Sequence, residues 1–149
     1  MSGWKRMIVQ PGWANRGDAI LLASRLMLGA FLIWGVWDNI VSPARMSEFR
    51  NFLAFHGFPL PDLAAPLSVW AQFICGVAFI AGFATRWAGL LCAVNFAVAV
   101  AMVDAKLGIR GAFPAACLIL FGLIFATIGA GRYSADATLG LAVRSPQRP

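Results

Sequence analysis

AILLASRLMLGAFLIWGVWDNIV, residues 19–41, is a stretch that water cannot solvate as a helix. Between Ala19 and Trp37 it carries one charge, Arg25, and offers no polar face. A helix at about 1.5 Å per residue crosses the hydrocarbon core of a bilayer in roughly 20 apolar residues. A soluble helix of that length keeps one side for solvent. Three further stretches repeat the pattern without any charge: Pro66–Ala84, Trp87–Val103 and Ala112–Ala130. The expected fold is all-α, an integral membrane four-helix bundle.

Composition supports the same reading. The 149 residues are 60% hydrophobic and 12% charged, against about 25% charged in an ordinary soluble domain. Four spans and short connections leave no room for a separate soluble domain. The expected layout is a cytoplasmic tail over 1–18, a membrane domain over 19–136 and a second cytoplasmic tail over 137–149. The net charge of +6 is scattered singly at the ends of apolar runs. That placement orients a protein in lipid rather than binding nucleic acid, which is excluded as a partner. Residues 1–18 are mixed, with Pro11, Trp13 and Asp18, and the run that follows is too long for a secretory h-region. The first span is therefore expected to stay in the mature protein.

Lysine and arginine set the orientation. One side holds Lys5, Arg6, Arg16, Arg86, Arg132, Arg144 and Arg148; the other holds Arg45, Arg50, Lys106 and Arg110. The richer side is expected to be cytoplasmic, with both termini inside and the chain in the inner (plasma) membrane. Trp34, Trp37, Trp70 and Trp87 fall near span ends, where aromatic belts form.

Between spans one and two, Ser42 and Pro43 suit a helix start. Met46, Phe49, Phe52 and Leu53 then recur at helical spacing over Ala44–His56. This predicts a short amphipathic helix on the outer surface. Pro59, Pro61 and Pro66 predict an irregular return to span two. Thr85-Arg86 predicts a tight turn between spans two and three, which makes them an antiparallel hairpin. Gly89, Ala93, Ala97 and Ala101 form a smooth seam on span three, and Gly122, Ala126 and Ala130 another on span four. Both read as packing devices. Val103–Gly111 is expected to be an outer loop, with Pro114 in the first turn of span four.

Each polar residue inside a span costs energy and so becomes a site candidate. Arg25 lies roughly 9 Å from the inner edge. It has two readings: an anchor or ion pair with Asp18 or Asp136, or a donor to an anionic substrate or quinone carbonyl. Asp38 is thirteen residues on, about 20 Å along the axis, out of its reach. Asp38, Gln72, Asp104 and Lys106 lie at comparable outer depth and form a polar layer if their helices face suitably; interfacial capping is the alternative. Asn95, mid-span three, reads as an interhelical hydrogen bond or a ligand contact. Cys75, Cys92 and Cys117 fall one to a span and contain no CxxC; buried cysteines act as small hydrophobes or, less often, as a redox pair. His56 lacks partners for a metal or haem site, so metal sites are expected to be none. Ser24, Ser68 and Ser134 lack a nearby base in sequence.

Several stretches together resemble the DoxX family of small four-span membrane proteins. They are Arg25-Leu26-Met27-Leu28-Gly29, then Trp34-Gly35, the loop Gly57-Phe58-Pro59, and Gln72 with Gly76. Gly82-Phe83-Ala84-Thr85-Arg86 follows, and Gly129-Ala130-Gly131-Arg132-Tyr133-Ser134-Ala135-Asp136 looks like the family's closing G-x-G-R-Y-S-x-D. The resemblance covers roughly Ala19 to Asp136. Two positions depart from it: Gln72 stands near a frequent acidic residue, and Asp38 where a lysine is frequent. The resemblance implies a quinone-linked redox subunit or accessory, of the thiosulfate:quinone oxidoreductase kind. Quinone is then a possible ligand, with no cofactor held covalently or by motif. Expected partners are membrane lipid, a redox subunit and further copies of the chain. On this reading Arg25, Asp38, Gln72 and Asn95 bind substrate, while Arg86, Arg132, Tyr133 and Asp136 are structural. A non-catalytic scaffold anchoring a partner is the alternative, and a small-solute transporter subunit the third.

Overall fold

The computed structural model describes residues 16–104 and 108–141. Among them there are only helices: α1 (Gly17–Val41), α2 (Pro43–Phe55), α3 (Pro61–Ala81), α4 (Thr85–Met102), α5 (Gly108–Ile128) and the short α6 (Ala135–Thr138). By length and composition α1, α3, α4 and α5 can each cross a membrane. The protein is a four-helix membrane bundle. Its two ends are named here by the chain: the terminal face, where α1 begins and α5 ends, and the loop face, which carries α2.

Local chemistry sets the helix starts. Ser42 Oγ accepts from the Arg45 N–H at 3.4 Å, and Pro43 occupies the first helical position of α2. Proline fits there because its missing N–H would have no intrahelical partner. The same rule corrects the expected path into span two. Pro61 opens α3, and Pro66 lies inside it, so the helix begins five residues ahead of the expected Pro66. The connection between α3 and α4 is Gly82-Phe83-Ala84, and Thr85 is already helical rather than part of the turn. Gly82 at φ 67° supplies the left-handed residue that ends α3. Helix α5 starts at Gly108, ahead of the expected Ala112, which leaves Pro114 within the helix instead of its first turn.

The spans pack as two close pairs. A Cβ on Gly29 would stand 2.7 Å from the Gly76 carbonyl oxygen, and one on Gly76 would stand 2.8 Å from that of Gly29. Gly89 and Gly122 hold α4 against α5 the same way, at 2.5 and 2.6 Å. Helices in lipid gain by such backbone approach, since burying apolar side chains brings little when the solvent is itself apolar. The expected seam on span three is used at its Gly89–Ala93 end only; Ala97 and Ala101 are exposed. Leu28, Leu32, Cys75, Phe79, Ala88, Cys92 and Phe125 join the pairs in one core cluster. Phe79 and Phe125 stack tilted at 5.0 Å. All these core residues lie toward the terminal face or mid-span. Large apolar side chains such as Met27, Phe31, Trp34 and Val94 point outward, as lipid requires.

Candidate functional site

Two polar constellations stand at opposite ends of the bundle. At the terminal face the stretch 129–136 crosses beneath the helices and is tied to each pair. Gly129 and Gly131 take φ of 88° and 76°, which turns the chain back under the bundle. The Arg132 N–H donates to Asp18 Oδ1 at 3.0 Å, and Arg25 Nη2 donates to the Tyr133 carbonyl oxygen at 2.6 Å. Asp136 receives the Ala84 N–H on Oδ1 at 2.8 Å and the Thr85 N–H on Oδ2 at 3.0 Å. Those donors are among the orphan groups that open α4, so the carboxylate caps that helix from a distant part of the chain. Arg86 points its guanidinium at the Ala126 and Ile128 carbonyls, each at 3.5 Å, where α5 ends.

Arg25 belongs to this clasp. It is 1% exposed and turned into the bundle. It meets a main-chain carbonyl rather than pairing directly with Asp18 or Asp136, although Asp136 is near enough to act on its charge. Its Nε and Nη1, and Thr85 Oγ1, make no hydrogen bond among the described residues.

At the loop face the two pairs part and leave a cavity of about 670 Å³. Helix α2 and its following loop roof it with Phe49, Phe52 and Phe58; α3 supplies Ser68 and Gln72; α4 supplies Asn95, Met102 and Asp104. Leu91, Val94 and Val98 line its α4 side and are also exposed. The cavity thus opens sideways at the height of the hydrocarbon core. Gln72 Nε2 donates to Ser68 Oγ at 3.2 Å, one helical turn away, which leaves the amide oxygen to face outward as an acceptor. Asn95 is half-buried and its side chain makes no hydrogen bond among the described residues.

The expected outer layer therefore forms in part. Of its members Gln72 and Asp104 line the cavity, together with Asn95, which was expected at mid-span, whereas Asp38 is exposed on α1 and does not line it. Helix rotation is the reason: residue 38 falls on the opposite side of α1 from Leu32 and Val36, which face the core. Arg25 does not line it either. Lys106 lies outside the described residues, as do Lys5, Arg6, Arg144 and Arg148 and most of both tails. His56 Nδ1 contacts the Phe52 carbonyl oxygen at 2.8 Å, and its ring stacks on Phe52 at 4.3 Å, so it stiffens the end of α2. Sequence reasoning missed the Ser68–Gln72 pair, whose i, i+4 spacing was its signal, and the phenylalanine roof.

The sequence profile of the DoxX family matches residues 20–105, more than half of the chain. The chain belongs to the DoxX family. The matched segment contains α1 from Ile20 onward, α2 to α4 and the described residues of the cavity wall; the clasp segment 129–136 lies beyond it. No curated protein and no solved structure matches this DoxX chain.

Proposed function

We propose that this DoxX protein binds a lipid-soluble quinone in the loop-face cavity and serves as a quinone-linked redox subunit or accessory. The observation that carries the reading is Asn95: a half-buried amide without a side-chain hydrogen-bond partner among the described residues, lining an apolar cavity with Gln72 in its wall. A polar side chain at that depth costs free energy unless something hydrogen-bonds it. A molecule with an apolar tail and carbonyl oxygens fits both needs. The Asn95 amide donates to a carbonyl, the Gln72 oxygen accepts from a hydroxyl once that carbonyl is reduced, and the side opening lets the tail remain in lipid. A volume of 670 Å³ falls within the roughly 300–1,000 Å³ of small-molecule sites.

Electrons from a water-soluble donor such as thiosulfate would enter through a partner subunit. Among the described residues the lining holds one charged group, the Asp104 carboxylate, and that repels a small anion. The larger share of Lys and Arg that the sequence puts on the side of the two tails supports an inner-membrane orientation with that side in the cytoplasm.

Protein purified in mild detergent is expected to carry stoichiometric extractable quinone. The Gln72→Leu, Asn95→Leu double variant should bind it roughly tenfold or more weakly, since each lost hydrogen bond is worth about 0.5–1.5 kcal/mol. Unchanged affinity in that variant would remove the cavity from the reading, and absence of any quinone binding would remove the quinone.

A further inference from the structure

Directly below the cavity lies chemistry that quinone binding alone does not use. Cys75 follows Gln72 by three residues on α3, and Cys92 precedes Asn95 by three on α4. Each cysteine is therefore about one helical turn from a cavity amide, on the side toward the core. Both are almost fully buried, at 1% and 2% exposure, in one core cluster. They also meet across the helix boundary. The Cys75 thiol donates to the Ala88 carbonyl oxygen at 3.3 Å and lies beside the backbone N–H of Cys92. Ala88 is the residue one turn ahead of Cys92 on α4, and its small side chain lets the two helices approach. Cys117 stands apart on α5, half-buried.

We propose that Cys75 and Cys92 are a redox-active dithiol that is oxidised to a disulfide by the quinone in the cavity above. The proposal rests on the quinone reading. Both S–H bonds break and one S–S bond forms. Two electrons and two protons pass to the quinone, which leaves as quinol. The sulfurs belong to opposite helix pairs, so the new bond ties α3 to α4 beneath the cavity floor.

The pairing explains a placement that packing leaves unexplained. Of three cysteines on three spans, two share the core cluster on neighbouring helices, each one turn below an amide that lines the site. A structural cysteine needs only to be a small apolar side chain. A dithiol serving a cavity ligand needs this adjacency.

The test uses the full chain in mild detergent, reduced and then freed of reductant. A short-chain benzoquinone is added, binding is followed by quenching of tryptophan fluorescence, and thiols are counted by alkylation and intact mass. The expected result is loss of two of the three alkylatable thiols and of two hydrogen masses, with Cys75 and Cys92 peptides joined. Cys117→Ser should behave the same way with its own thiol absent, and Cys75→Ala and Cys92→Ala should each lose no pair. Quinone that binds while all three thiols remain alkylatable overturns the dithiol and leaves the binding reading intact. Quinone that does not bind overturns both, and the fluorescence signal tells the two failures apart. A disulfide that includes Cys117 also overturns the assignment.

Discussion

Asp136 places its two carboxylate oxygens on main-chain N–H groups 52 and 51 residues earlier in the chain. That makes it the most consequential polar residue of the terminal face. Asp136→Ala is expected to lower the thermal midpoint in detergent, because a lost N-terminal cap costs about 0.5–2 kcal/mol. The same change leaves the Arg25 charge buried without its neighbour, which adds to the loss. Asp136→Asn keeps one acceptor and should fall between wild type and Ala; a midpoint equal to wild type in both variants would contradict the cap. Arg25→Leu is expected to lower stability while leaving quinone affinity unchanged within twofold, since Arg25 does not line the cavity. Equilibrium titration of quinone separates those effects. Asp18, Asp136 and a substrate were all open partners for Arg25 in the sequence, and only the cost of its charge inside a span was plain. Its direction was not, because α1 is apolar on every side and uniform hydropathy gives no rotation about the helix axis. For the same reason Asp38 read as a cavity residue and is exposed instead.

Among the elements, the paired glycines decide which helices touch. Gly89→Leu puts a side chain where even a Cβ stands 2.5 Å from the Gly122 carbonyl oxygen. It is expected to separate α4 from α5 and to cost several kcal/mol, the upper range for overpacking. Gly35→Ala, on α1 with nothing within 4 Å, should leave the thermal midpoint unchanged or slightly raised. Ala97→Leu on the exposed face of α4 should also be neutral, and a large loss there would show that a partner covers this face. Four spans were legible from their length and lack of charge, and Ser42-Pro43 gave the start of α2. The starts of α3 and α5 were not, because proline signals both a helix breaker and a helix opener. Pro61 is the opener; Pro66 and Pro114 are absorbed within their helices.

The whole molecule is closed at one end and open at the other. Core and clasp fix the terminal half, while at the loop face α2 packs on α1 and α3 and its phenylalanines roof the cavity. A ligand in the cavity should therefore order the open half and leave the closed half as it was. Spin labels on Ser47 of α2 and Ala101 of α4 are expected to show a narrower distance distribution with quinone bound. Labels on Ala23 of α1 and Leu123 of α5 should show no change; an equal response at both ends would mean that the bundle moves as a unit. The sequence marked Gln72 and Asn95 as polar residues inside apolar spans, and both line the cavity. It could not show that their helices diverge, because divergence depends on where the two glycine pairs happen to lie. The clasp also sets an order of assembly during synthesis. The first turn of α4 is made long before its cap, and Asp136 reaches it only after α5 has emerged and entered the membrane. Until then the α3–α4 hairpin holds bare amide groups at its bend. A chain halted before residue 136 thus keeps that turn uncapped, although all four of its spans are already in place.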